Sequence, residues 1–181
     1  MSSYNKIEKE KCLVLLKPDC VRKKIIGKVI EMIESLGLDI IKIKMFFPDK
    51  DTISRHYPDD KDWVESLGKK KIERFKTENI FSDASSYSIG LEVRERLINK
   101  LQGKPFVGMI IEGYNSITAL RKLAGNTEPL KAEIGSIRGK FSTDSYIVAD
   151  FFDRSVENVI HVSDSIESAI REIEIWFPEK G

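Results

Sequence analysis

Apolar and polar positions along the chain switch between the period of a strand and that of a helix. Cys12 to Leu16 is a continuous apolar run, the pattern of a short central strand buried on both faces. It stops at Lys17-Pro18-Asp19, because proline has no amide hydrogen for a central ladder, and Lys17 is thereby delivered to the end of the sheet. Ile25, Ile26, Val29, Ile30, Met32, Ile33 and Leu36 recur on one face of a helix, with Gly37 placed to end it in a left-handed conformation. Leu38 to Phe47 alternates, Ile41, Ile43 and Met45 against Lys42 and Lys44, as a half-exposed strand does. Pro48 breaks that strand, and a short polar helix leads to His56-Tyr57-Pro58.

The second half repeats the scheme after an interruption. Trp63, Val64, Leu67, Ile72 and Phe75 mark one helix, a Ser- and Asp-rich loop covers 82–88, and Ile89, Val93, Leu97 and Leu101 mark another, so 59–100 reads as an inserted helical hairpin. Its charges, Lys69 to Lys71 and Glu92, Arg94, Glu95 and Arg96, read as solvated helix faces. Phe106 to Ile111 is a buried strand ending at Glu112-Gly113. Asn115 is placed to cap a helix with the stripe Ile117, Leu120, Leu123 and Ala124, stopped by Gly125. A long loop, Glu128 to Phe141, follows, and Tyr146 to Phe152 reads as an added edge strand. Val159 and Ile160 end a short buried strand. Asp164 and Glu167 form a cap pair opening the last helix, whose stripe is Ile166, Ala169, Ile170, Ile173, Trp176 and Phe177. The order is strand, helix, strand, helical insert, strand, helix, long loop, strand, helix. It predicts an α+β, ferredoxin-like (split βαβ) antiparallel sheet with helices on one face. A single domain, 1–181, with insertions at about 59–100 and 143–157 accommodates it.

Composition narrows the partners. A chain of 181 residues, 41% hydrophobic, can bury one good core. Thirty Lys and Arg against 29 Asp and Glu leave a net charge of +1, so no overall field draws it to nucleic acid or an anionic membrane, and any basic site is local. Met1 to Lys11 is charged and no apolar stretch reaches the length of a membrane span, so a soluble, cytoplasmic protein is expected. Cys12 and Cys20 form no CxxC pair or disulfide framework and read as packing residues. The two histidines lack metal-motif spacing, and neither a Gly-x-x-x-x-Gly-Lys loop nor a glycine-rich kinase loop is present.

Candidate chemistry gathers at three places. His161 sits at a strand-to-helix corner, and the edge of the final helix carries Ser165, Ser168 and Glu172 back toward it. A carboxylate that holds one imidazole nitrogen fixes the tautomer and frees the other as a nucleophile. A lone histidine at such a corner is more often structural, and spacing does not decide between the two. Lys17 is placed to meet an anion or a hydroxyl, or is a solvated lysine at a turn. Arg138, flanked by Gly135 and Gly139, suits a tight loop that presents a guanidinium fork to phosphoryl oxygens, or lies in an ordinary surface loop.

Taken in order, these segments resemble nucleoside diphosphate kinases. Lys17-Pro18-Asp19-Cys20-Val21-Arg22, with Ile26-Gly27 after it, is similar to the family's opening motif. Arg121 to Thr127 is similar to its Arg-x-x-x-Gly-x-Thr segment. Gly135 to Phe141 is similar to Gly-Thr-Ile-Arg-Gly-Asp-Phe, with Ser136 for threonine, Lys140 for aspartate and Ile134 in place of the preceding proline. Asn158-x-x-His161-x-Ser163-Asp164-Ser165, followed by Glu172 and Trp176-Phe177-Pro178, resembles the phosphohistidine motif, with Val162 where the family has glycine.

The resemblance implies the same ferredoxin-like fold and a ping-pong transfer of a terminal phosphoryl group, between nucleoside tri- and diphosphates, through phosphorylated His161. It implies that Lys17 and Asn158 hold the ribose hydroxyls and that His56, Arg121, Thr127 and Arg138 meet phosphates. Tyr57 would support Lys17, and Ser163 would support the histidine. The family stacks the base on an aromatic residue soon after the His-Tyr pair, and the nearest here is Trp63. Magnesium (Mg2+) would arrive with the nucleotide rather than on a protein site. A homo-oligomer, most often a hexamer, is implied as well. Val162 and the two insertions leave open a kinase-like fold that serves as an interaction or regulatory module; a ferredoxin-like sheet can also bind RNA, which the near-neutral charge and the absence of an aromatic RNA-binding motif disfavour.

Overall fold

β1 (Glu10–Leu16) is followed by α1 (Pro18–Arg22), α2 (Ile26–Glu34), β2 (Asp39–Phe46), α3 (Lys50–His56), α4 (Lys61–Thr77) and α5 (Ser86–Leu101). Then come β3 (Phe106–Gly113), α6 (Ser116–Ala124), a 3-10 turn (Pro129–Lys131), α7 (Ile137–Phe141), α8 (Tyr146–Phe151), β4 (Ile160–Val162) and α9 (Ile166–Trp176). The computed structural model describes residues 7–77 and 81–179; the start of the charged N-terminal stretch and 78–80 of the predicted hairpin lie outside the described residues.

The four strands form one antiparallel sheet in the order β2-β3-β1-β4, the split βαβ arrangement read from the sequence. β1 is central, as its apolar run requires, and Cys12 to Leu16 are at most 1% exposed. Cys12, Val14 and Leu16 pack with Val29 and Ile33 of α2 and Ile117 and Leu120 of α6. Leu13 and Leu15 pack on the other side with Ile53 of α3, Ile98 of α5 and Trp176 of α9. Helices therefore cover both faces of the sheet, not one. The reason lies in β1 and β3, whose apolar residues run without alternation and need cover on each side.

Three local readings change. Tyr146 to Phe151 is helix, not edge strand, because Ser145 Oγ accepts the amide of Val148 and starts a turn. The cap of α9 is Ser165, whose Oγ accepts Ser168 N–H at 3.1 Å, rather than Asp164. Asn115 is at the N-cap of α6 but left-handed (φ 54°), and its side chain caps nothing. Glu10 fills that role, its carboxylate accepting Ile117 N–H at 3.2 Å.

The stretch 59–100 forms two tightly packed helices. A Cβ on Gly68 would lie 1.7 Å from the carbonyl oxygen of Ser86, and one on Gly90 2.0 Å from that of Val64, so the α4 and α5 backbones touch where only glycine fits. The inner charges of this hairpin are not solvated. Lys71, 7% exposed, Arg74 and Arg96 all reach Asp150 of α8, at 3.4, 3.2 and 2.9 Å. Arg94 Nε donates to the carbonyls of Tyr57 and Pro58. Lys69 keeps the predicted surface role, beside Glu65. No helix among the described residues is long and apolar enough to cross a membrane.

Candidate active site

His161 is the middle residue of β4 and pairs with Leu15, so its side chain leaves the sheet on the face covered by α3 and α9. The approach to it is strained. Val159 has φ 68°, unusual for a β-branched residue, and Ile160 N–H donates to Asn158 O at 2.7 Å, closing a three-residue γ-turn. The turn is held from outside: Val159 N–H donates to Asp19 Oδ2 at 2.9 Å and Lys17 N–H to Val159 O at 2.8 Å. These bonds fix Asn158 and His161 relative to Lys17. Val162 stands in regular strand opposite Val14, and its φ is not positive, so no glycine is needed beside the histidine.

Glu172 lies two turns into α9 and is 5% exposed. Its Oε2 is 3.0 Å from His161 Nε2 and accepts the Ser163 hydroxyl at 2.6 Å, while Ser163 Oγ accepts Leu13 N–H at 3.2 Å. Burial pushes the Glu172 carboxyl up, but His161 and the Ser163 hydroxyl outweigh it and bring the pKa down to about 2. The carboxylate is therefore charged at neutral pH and takes the Nε2 proton of His161 as a hydrogen bond. Nδ1 is left with its lone pair.

A cavity of about 510 Å³ opens in front of His161, lined also by Lys17, Arg121, Thr127, Arg138 and Asn158. Lys17 Nζ donates to Asn158 Oδ1 at 2.9 Å, and Asn158 Nδ2 donates to Thr127 O at 2.9 Å. Burial lowers the pKa of the Lys17 ammonium, with Asp19 opposing. Arg138 spends three N–H groups on the carbonyls of Gly125, Asn158 and Ile160, at 2.7, 3.3 and 2.9 Å, which leaves two of its five for the cavity. Burial brings its pKa to about 10, so it stays cationic. Arg121 is exposed and has no hydrogen bond or ion pair to another described residue. Gly125 must be glycine here, with φ 79° and a Cβ position 2.3 Å from Ser136 Oγ.

Three sequence-predicted residues stand differently from their expected roles. His56 does not line the cavity; it is 4% exposed, and its Nδ1 accepts Trp176 Nε1–H at 3.2 Å. Tyr57 lines the cavity, but Lys17 Nζ bonds Asn158 and not the Tyr57 hydroxyl. Trp63 is tilted against Tyr57 with centroids 6.1 Å apart and is not a lining residue; Leu67, Val93 and Leu97 form the apolar wall on that side. Tyr146, Lys70, Arg74 and Arg154 also line the cavity and were missed. Lys70 and Arg74 are spaced with Leu67 as one helix face, a signal hidden within a run of lysines.

Potential ligand atoms of His56, His161 and Glu172 lie within 4.8 Å of one another. Proton placement opposes a metal there. The indole N–H on His56 Nδ1 puts the His56 proton on Nε2, and Glu172 is already bonded to Ser163 and His161.

His56 gives a stability prediction. Burial, and then His161, hold its imidazole well below the ordinary 6.5, so the folded chain refuses a proton that the unfolded chain accepts. Stability should be level above about pH 6.5 and fall below it, by up to about 1.4 kcal/mol per pH unit. Glu172 adds a separate loss only below its unfolded value, near 4.5. Urea midpoints between pH 7.5 and 5 measure the first effect. A His56→Gln chain should lose that part of the slope, and an unaltered slope would contradict the assignment.

Comparison with known proteins bears on this arrangement. The family profile described as "Nucleoside diphosphate kinase" matches residues 10–67 and 88–181, leaving the end of α4 and the start of α5 unmatched. A nucleoside diphosphate kinase of Pyrobaculum aerophilum is 35% identical over 176 residues, covering 94% of this chain and 96% of its own. One of Methanocaldococcus jannaschii is 36% identical over 171 residues, covering 94% and 95%. The crystal structure of an NDP kinase from Pyrobaculum aerophilum superposes with a TM-score of 0.90 at 33% identity over 94% of this chain and 97% of that one. A transition-state mimic of the Borrelia burgdorferi nucleoside-diphosphate kinase, with bound vanadate and ADP, gives 0.75 at 33% identity, covering 96% and 90%.

Proposed function

Because the chain belongs to the nucleoside diphosphate kinase family, we propose that its phosphoryl transfer runs through His161. The protein is a nucleoside diphosphate kinase, a phosphotransferase. The observation that carries the covalent route is the 3.0 Å contact of Glu172 with His161 Nε2, which leaves Nδ1 at the cavity as the nucleophile. In the first half-reaction Nδ1 attacks the terminal phosphorus of a nucleoside triphosphate, the bond to the bridging oxygen breaks, and the diphosphate leaves. In the second, a different diphosphate attacks the phosphohistidine and takes the group.

The transferring group spreads its charge over three oxygens, so the site needs cations more than a base. Arg121, Thr127 and the two spare N–H groups of Arg138 meet the phosphates, and Lys17 with Asn158 holds the ribose hydroxyls. As His161 gains the phosphoryl group, the Glu172 carboxylate balances the charge developing on its ring. Magnesium fits as part of the nucleotide. Of the two carboxylates lining the cavity, Asp150 is taken by three cations, and exposed Asp164 is left to face a hydrated ion. Bound with the nucleotide, the ion would screen the phosphate charge. We place the reaction in the cytoplasm, where nucleotides are plentiful. Incubating the protein with ATP, GDP and magnesium should give GTP, with rates that fit a ping-pong pattern; no GTP would refute the transferase reading.

The assembly proposed is a homo-oligomer, a hexamer by family resemblance. Its support is the open edge of the sheet, where β2 leaves Ile41, Ile43 and Met45 41%, 54% and 47% exposed, with Phe47 beyond at 67%. An unpaired apolar edge strand is a pairing surface. Light scattering should give a multiple of 20.7 kDa, and Ile43→Lys should shift the protein to smaller species. A 20.7 kDa particle across the micromolar range would rule assembly out.

A further inference from the structure

α4 and α5 each turn one face to the cavity: Leu67, Lys70 and Arg74 from the first, Val93, Arg96 and Leu97 from the second. The apolar members form a wall. The charged members have no counterpart among the residues assigned to phosphate above. Lys70 is exposed and has no hydrogen bond or ion pair to another described residue. Arg74 is 19% exposed and held in place on two sides, one nitrogen 3.2 Å from Asp150 and its guanidinium 4.1 Å from the centroid of the Tyr146 ring. That arrangement fixes the direction of the fork while leaving most of its N–H groups unspent. Tyr146 lies within electrostatic reach of both Arg74 and Arg138, and Arg138 within reach of Arg121. Arg121, Arg138, Tyr146 and Arg74 all line the same cavity.

We propose that Lys70 and Arg74 bind the phosphate chain of the nucleotide, so that the α4–α5 hairpin is a nucleotide-binding element and not only a cover for the sheet. The proposal rests on the phosphotransfer reading of the cavity. Asp150 is a positioning residue in it: it gathers Lys71, Arg74 and Arg96 from two helices and sets the hairpin against α8. Its single carboxylate leaves a surplus of positive charge facing the cavity, and a polyanion is the ligand class that such a wall takes.

Calorimetric titration with magnesium ADP and with inorganic tripolyphosphate tests this on the full chain. Lys70→Met should weaken both ligands by about 3- to 10-fold, and Arg74→Met both by about 10- to 100-fold. Lys70 has no hydrogen-bond or ion-pair partner among the described residues, so its effect does not come from breaking a contact with them. For Arg74 the control is Arg74→Lys, which keeps a cation beside Asp150 and should recover part of the tripolyphosphate affinity that Arg74→Met loses. Unchanged tripolyphosphate binding in Lys70→Met and Arg74→Met would overturn the proposal. A loss for ADP alone would also overturn it, since the contact would then be to base or ribose. The readout is binding, not turnover, so these failures are distinct from failure of the phosphotransfer reading, which requires that the unaltered protein take no label from ATP.

Discussion

Replacing His161 with alanine is expected to abolish phosphoryl transfer, with no label retained from γ-labelled ATP and no GTP formed from ATP and GDP. The effect is the largest that any single side chain should produce, because among the described residues no second imidazole and no thiol lines the cavity. His56 is the other imidazole of the chain, but it is buried, its Nδ1 accepts the Trp176 indole, and its Nε2 carries the proton. Cys12 and Cys20 are fully buried, and burial pushes both thiols up to about 12. Label retained by the alanine protein would show that another group accepts the phosphoryl.

The second large effect belongs to Glu172. Removing it takes away a charge-assisted hydrogen bond worth about 1.5 to 3 kcal/mol, so Glu172→Ala should slow single-turnover phosphorylation by roughly 10- to 150-fold. It also strips the Ser163 hydroxyl of its 2.6 Å acceptor, so the ring is freed to turn as well as deprived of its counter-charge. Glu172→Gln separates the two contributions, since its amide oxygen can still accept from Nε2 without carrying charge. Equal rates for the parent and both variants would remove Glu172 from the mechanism.

How far the sequence disclosed this site follows from the range of each interaction. Helical spacing alone turns Glu172 toward the corner that holds His161, since both belong to one strand-turn-helix unit. The ending of β1 at Pro18 likewise delivers Lys17 to the sheet end. Its partner Asn158 stands 141 positions away, and only the motif resemblance joined the two before the fold did. What stayed hidden depends on packing between distant elements. Asp150 looked like one acid in an apolar stretch read as an edge strand; the three cations around it come from two helices of the hairpin. A run of lysines gives no sign of which member turns inward until α4 has a neighbour, and Gly68 and Gly90 set that neighbour at backbone contact. His56 was expected at a phosphate because its dipeptide resembles the family's; the indole donor from Trp176, 120 residues on, holds it in the core instead. The helices on the second face of the sheet were legible in principle, since a strand apolar at every position cannot leave one face to solvent.

In the proposed mechanism Glu172 holds Nε2 of His161 and leaves Nδ1 to accept the phosphoryl group. The direct measurement is phosphorus NMR of the ATP-treated protein with nitrogen-15 in its histidine rings, which reports the nitrogen that carries phosphorus. The expected result is one phosphohistidine, at Nδ1 of His161, stable in base, lost in acid and discharged by added GDP. Phosphorus on Nε2, or on any residue other than His161, would contradict it.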